Sequence, residues 1–218
     1  SLIPSPKSGT DDVVGFNATV LTSALAGASG LPVTVSISDG GWILNSAGLP
    51  VKSRQYVIGS TGTAVINVLA TKTGAITFTA TAGTVTATAS MWVANATTDA
   101  RFVTITAAAT GTANGSGVPV TVTVTDRNGN AVSGVDVNVV ASGVGSFMGG
   151  SITNSFTTDA SGTYTFLANT SLSDGGVAKF TATTGNTAVG FRSAAGYVGA
   201  TEVDATLAAG NSSASAEI

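Results

Sequence analysis

The stretch Pro119-Val-Thr-Val-Thr-Val-Thr-Asp126-Arg-Asn-Gly-Asn130-Ala-Val-Ser-Gly134-Val-Asp-Val-Asn-Val139 decides the fold class. Val120, Val122 and Val124 alternate with three threonines, and Val135, Val137 and Val139 alternate with polar residues. A period of two puts one set of side chains on a core face and the other on a solvent face, as in a half-buried strand. Between the two runs stands a turn. Asp126 is placed to accept backbone N–H groups across it, and Asn128-Gly129 supplies the positive φ it needs. Two alternating runs joined by turn chemistry predict an all-β protein.

The pattern recurs. Gly30-Leu-Pro-Val-Thr-Val-Ser-Ile37 aligns with Gly134-Val-Asp-Val-Asn-Val-Val-Ala141. Ser60-Thr-Gly-Thr-Ala-Val-Ile66 aligns with Ala160-Ser-Gly-Thr-Tyr-Thr-Phe166, and Ile76–Thr81 with Ala178–Thr183. Two copies of one fold follow, so the expected architecture is two tandem immunoglobulin-like β-sandwich domains. The expected limits are 1–98, 99–198, and a Ser/Ala/Gly-rich tail or opening strand of a further domain over 199–218. Ala107–Ala109 is flanked by β-branched residues and makes no helix.

The stretch around Asp126-Arg-Asn-Gly-Asn130, with Thr157-Thr-Asp159-Ala-Ser-Gly162-Thr-Tyr-Thr-Phe166, resembles the bacterial immunoglobulin-like (Big) domains of invasin- and intimin-type surface proteins. The likeness covers about residues 100–198. The first copy departs from it: 23–30 replace the Asp-x-Asn-Gly turn, and no Asp precedes Ser60. The resemblance implies a β-sandwich serving as a surface spacer, stalk or adhesive module.

Composition excludes much chemistry. The 218 residues include no cysteine and no histidine, and charged residues are 9% of the chain. No disulfide, thiol nucleophile or histidine base is available. A net charge of −3 without a basic patch argues against nucleic acid. No apolar run spans a bilayer, so direct membrane insertion is not expected of this segment. A polar surface of Thr, Ser, Asn and Gly points to an extracellular chain, and the resemblance implies a bacterial cell surface. It starts at Ser1, as a mature or trimmed chain would.

No catalytic site, cofactor or metal site is expected, and the chain is read as no enzyme. Asp11/Asp12 point to opposite sides of an extended segment. Glu202/Asp204 share a face but read as solvated charges. Asp126-x-Asn128-x-Asn130 imitates the start of a calcium loop, yet Ala131 and Val137 stand where that loop requires Gly and Glu. Calcium at the domain junction, on Asp99 or Asp204, is the alternative left open. Trp42, Tyr56 and Trp92 offer a glycan platform. The competing reading makes Trp42 the counterpart of Phe147, and Trp92 that of Tyr197, as core aromatics.

The chain ends differ from a closed repeat. Residues 92–102 align with 197–207, and 102–110 read as the opening strand of the second domain. By analogy 203–209 open a third. The first domain retains only residues 1–6, with Pro4 and Pro6, in the matching place. A longer protein, a loose linker, or strand exchange between copies each accounts for this. In the last case Val203, Ala205 and Leu207 are the donor contacts, and Phe16, Ala18 and Val20 the acceptor edge. The expected function is a structural module of a surface layer, filament or stalk, with copies of itself as partners in a polymer or lattice. The alternative is an adhesin or phage decoration domain that recognises a glycan or receptor.

Overall fold

The structure, a computed structural model, describes residues 14–19, 28–47, 49–107, 116–126, 128–170, 176–184 and 213–217. They form an all-β protein of antiparallel sheets with one 3-10 turn at Thr97–Asp99. The described residues divide into two compact units, 14–94 and 95–217.

The first unit holds β1 (Val14–Thr19), β2 (Pro32–Ile37), β3 (Gly41–Leu44), β4 (Pro50–Val51), β5 (Ser53–Val57), β6 (Thr63–Ala70), β7 (Gly74–Ala82) and β8 (Val85–Val93). Its sheets run β1-β6-β3-β4 and β5-β2-β7-β8. The second holds β9 (Phe102–Ala107), β10 (Ser116–Thr125), β11 (Asp136–Gly143), β12 (Gly145–Phe147), β13 (Thr153–Thr157), β14 (Thr163–Thr170), β15 (Ala178–Thr184) and β16 (Ser213–Glu217). Its sheets run β12-β14-β10-β9 and β13-β11-β15-β16.

The two-residue period does what the sequence predicts. Val120, Val122 and Val124 are fully buried, and so are Val137 and Val139 across the core. Val33 and Val35 take the same places in the first unit. The second core is aromatic: Phe180 is fully buried, 5.5 Å from the ring of Phe166 and 5.9 Å from that of Phe147. The first core is built mainly from aliphatic side chains such as Ile43, Ile58 and Ile76.

Register makes the units comparable residue by residue. Phe16 faces Ile66 in β6, as Val120 faces Phe166 in β14. β1 and β10 are therefore counterparts. β8 pairs with β7 as β16 pairs with β15: Ala87 faces Ala80 and Ala214 faces Ala182, one pair standing for the other. Thr86-Ala-Thr-Ala-Ser90 and Ser213-Ala-Ser-Ala-Glu217 occupy the same slot. Residues 213–217, expected in a tail or in a further domain's opening strand, close the edge of the second unit's sheet. Their small alternating side chains suit a strand packed on one face only.

Among the described residues β9 has no counterpart in the first unit. It runs antiparallel along β10, with Val103, Ile105 and Ala107 opposite Val124, Val122 and Val120. The corresponding outer edge of β1 carries no described strand.

Candidate functional site

The acidic residues build turns, as their positions predict. Asp126 is fully buried, and its Oδ1 accepts the backbone N–H groups of Asn128 (2.7 Å) and Asn130 (2.8 Å). Its Oδ2 accepts Asn130 Nδ2 at 2.8 Å. Gly129 follows at φ 82°, the left-handed region that glycine enters without strain. Burial pushes the Asp126 carboxyl above its ordinary value, against these donors, which pull it down. Asp159 does the same work in the open: its Oδ1 accepts Ser161 N–H at 2.8 Å and Thr163 N–H at 3.0 Å. Those backbone bonds hold its carboxyl below the usual range. Both turns leave the carboxylates engaged by the protein's own donors.

Asp99 is buried and accepts Ala96 N–H at 2.6 Å. Among the described residues no three His, Cys, Asp or Glu side chains gather as metal ligands. Asp204, the other residue considered for a junction ion, lies outside the described residues, as do Asp11, Asp12 and Glu202.

The aromatic reading needs correction. β3 pairs with β6 so that Ile43 faces Val68, while β12 pairs with β14 so that Phe147 faces Ala168. Phe147 therefore corresponds to Ile43, which is fully buried, and not to Trp42. A shift of one residue moves a side chain to the other face of the sheet. Trp42 is half-buried on that other face, with Lys52 Nζ 3.9 Å from its ring centroid. Lys52 Nζ also donates to the Gly41 carbonyl at 2.7 Å. Burial lowers its pKa, partly offset by the charge of Asp39. Trp92 is 65% exposed, so it is no core aromatic. Tyr197 lies outside the described residues. Tyr56 is on β5, half-buried, with the Arg54 guanidinium 4.7 Å from its ring centroid. Trp42 sits on β3 and Tyr56 on β5, in different sheets, and Trp92 on the edge strand β8. Replacing Trp92 by alanine should shift stability by no more than about 0.5 kcal/mol, as at other exposed positions. Urea unfolding of the variant checks this; a loss of ~2 kcal/mol or more would restore Trp92 to a core.

What the sequence reading missed is an open face. In the second unit β9 packs across β15 and β16. Val135 is 3% exposed there, and Ala214 and Ala216 are half-buried against the core. In the first unit Leu31, the counterpart of Val135, is 44% exposed, and Ala87 and Ala89 are exposed. Val85, at the start of β8, is 70% exposed. An open cleft results, lined by Thr19, Leu31, Val33, Ala80, Ala82, Val85 and Ala87. Its chemistry is apolar contact; among the described residues no strand lies along the outer edge of β1, which ends at Thr19. Of the expected acceptor residues, Phe16 and Ala18 are on β1 along that edge, while Val20 lies outside the described residues. The donor residues Val203, Ala205 and Leu207 also lie outside them. The uneven repeat was the sequence signal for this opening.

No helix of the described residues is long and apolar enough to cross a membrane.

No family model and no curated protein matches the chain. Solved structures do. The crystal structure of invasin, a bacterial integrin-binding protein, is 16% identical over 84% of this chain and 34% of that one, with a TM-score of 0.40. InvD of Yersinia pseudotuberculosis is 17% identical over 84% and 50%, with a TM-score of 0.47. The D0-D1 domain of intimin is 20% identical over 83% and 88%, with a TM-score of 0.32. The chain thus spans about a third of the length of the invasin structure. At TM-scores below 0.5, none of these similarities assigns a function to the chain.

Proposed function

We propose that the chain is a non-catalytic module of a bacterial surface protein, exposed outside the cell, that works by protein contact in the manner of an adhesin. The open apolar face of the first unit carries this reading. Leu31 and Val85 are 44% and 70% exposed and line an apolar cleft, where the second unit buries the matching Val135. Contiguous apolar surface left in water marks an interaction site more often than scattered single residues do. The carboxylates Asp126 and Asp159 are committed to turns, which supports a binding role over an acid–base one. The second unit then serves as a support for the first.

A second reading has one specific observation in its favour. Among the described residues no strand lies outside β1, an edge open to strand addition, so the chain is alternatively a structural part of a surface layer, filament or stalk.

Adhesion of coated beads tests the first reading. Beads carrying the chain should attach to host epithelial cells. A Val85→Asp/Ala87→Asp variant should attach at least tenfold less while keeping the wild-type unfolding transition, because both positions are already exposed. Wild-type beads that attach no better than uncoated ones would overturn the adhesin reading.

A further inference from the structure

We propose that β8 pairs edge to edge and antiparallel with β8 of a second copy of this chain, and that the product is a two-fold dimer. This goes beyond the adhesin reading, because it uses a backbone edge and not the apolar cleft.

β8 runs for nine residues, Val85–Val93. It is the outer strand of the sheet β5-β2-β7-β8 and, among the described residues, pairs with β7 alone. The other edge strands of the described sheets run six residues or fewer. A long edge presents a row of unpaired N–H and C=O groups, and proteins blunt such rows with charge, proline or a short strand. Val85-Thr-Ala-Thr-Ala-Ser-Met-Trp-Val93 carries neither charge nor proline. Its counterpart β16 has five residues and bears Glu217, 3.7 Å from Lys179. At the opposite edge of the same sheet, β5 carries Arg54. Thr86 to Ser90 are exposed whichever face they point to, and Val85 and Trp92 are 70% and 65% exposed near the two ends. The strand is also held in place. The Thr86 hydroxyl lies 3.3 Å from that of Thr81, and the Ser90 hydroxyl 3.2 Å from that of Thr77, both on β7. A preordered strand loses little freedom on pairing.

The ladder inside the sheet fixes which groups point outward. Gly83-Thr84 is a two-residue turn that sets Ala82 opposite Val85. Such a turn closes on a hydrogen-bonded pair, and bonded and non-bonded pairs then alternate along the strands. Thr77 agrees with that phase: its carbonyl accepts Ser38 N–H at 2.9 Å, on the far side of β7. Val85, Ala87, Ala89, Met91 and Val93 therefore exchange bonds with β7, and Thr86, Thr88, Ser90 and Trp92 turn their N–H and C=O groups to the open edge. Two antiparallel copies overlap over the whole strand in one register, with Ala89 opposite the partner's Ala89. Thr88 then faces the partner's Ser90, Thr86 the partner's Trp92, and Val85 the partner's Val93. Hydroxyl meets hydroxyl, apolar meets apolar, and the indole covers a threonine methyl; no charge meets a charge. Cross-strand pairs of this kind stabilise an antiparallel ladder. The same surface serves on both copies, so the contact closes as a dimer. Two four-stranded sheets become one, with β5 and its Arg54 at each end. Both clefts come to the same side of that sheet, where a bivalent contact outlasts a single one. Only this last consequence rests on the adhesin reading.

Disulfide trapping in the full chain tests the pairing and its register, because the chain has no cysteine of its own. Ala89→Cys is oxidised alone. The two-fold sets this residue opposite its own copy at a non-bonded position, ~4.5 Å apart at Cα and within disulfide range. Ala87→Cys is the control. It is exposed on the same face, but it stands opposite the partner's Met91, and its own copy lies ~13 Å further along at ~3.3 Å per residue. Ala89→Cys should give a covalent dimer at least tenfold faster than Ala87→Cys. In sedimentation equilibrium the mass of the wild-type chain should rise toward twice that of the monomer as concentration increases. Thr88→Pro should stay a monomer, since the N–H it removes points away from β7. Ala89→Lys keeps every backbone group, sets two like charges face to face on the axis, and should also stay a monomer. Ala89→Cys that oxidises no faster than Ala87→Cys overturns the proposal. So does a wild-type chain that is monomeric at every concentration, the result expected if another segment of the same chain covers β8. Trapping reports the pairing whether or not coated beads attach to cells, so the two readings fail separately.

Discussion

Phe180→Ala is expected to unfold the second unit roughly 15–30 °C below the wild-type protein, with the first unit's transition unchanged. Phe180 is fully buried at the centre of the aromatic cluster, between Phe147 and Phe166. Truncation removes the transfer free energy of the ring and leaves a cavity that the rigid strands β12, β14 and β15 cannot close. Substitutions of this kind cost about 3–5 kcal/mol, and a domain near 100 residues loses ~4–8 °C for each kcal/mol. The loss of two ring contacts adds to the area term. Calorimetry should resolve two transitions, of which the upper or lower moves alone. A concerted shift of both would mean that the units unfold as one body.

Asp126→Ala should be nearly as damaging, at about 3 kcal/mol. The substitution removes three hydrogen bonds from a buried carboxylate and leaves the Asn128 and Asn130 N–H groups without their acceptor. Bonds to charged groups are worth ~1.5–3 kcal/mol each in net terms, and abandoned buried donors bear most of the cost. Asp126→Asn retains an oxygen for the two backbone donors and should lose less. The pH dependence has a definite sign. Burial raises the folded pKa of Asp126 above 3.8, so its protonated form is favoured by folding. That contribution is present below the unfolded pKa and fades as pH rises through the folded value. The stability gap between wild type and Asp126→Asn should therefore shift against the wild type as pH rises from about 3 through the carboxylate range. Both proteins should melt at the same temperature with and without a chelator. Urea titrations across pH, with EDTA added, measure all of this; a chelator-sensitive Asp126 would make the turn an ion site.

Much of this architecture was legible in the residues themselves. Alternation of Val120, Val122 and Val124 with threonine specifies a strand and its buried face, because the pleat has a period of two whatever lies beside it. Asp126 with Gly129, and Asp159 with Gly162, specify tight turns through local hydrogen bonds and a positive φ. The near-repetition of 30–37 at 134–141 specifies two copies of one sandwich. These are local properties, carried by a few adjacent residues.

Which strand lies against which was decided only by the tertiary structure. Trp42 looked like the partner of Phe147 because both follow a glycine-rich bend, yet the ladder to β6 puts Ile43 there instead. One residue of register, invisible in a local pattern, exchanged a core side chain for a half-exposed one. Trp92 is apolar, large and on a strand, but an edge strand with an open face leaves it in water. Ser213-Ala-Ser-Ala-Glu217 has the composition of a linker; pairing with β15 makes it a strand, since backbone hydrogen bonds and two small inward alanines are all that this slot demands. The open side of the first unit has the same origin. Leu31 and Val135 are equivalent in sequence, yet Leu31 is 44% exposed and Val135 3%. Alternation sets which face of a strand is apolar; long-range pairing alone determines whether that face meets a core, a partner or water.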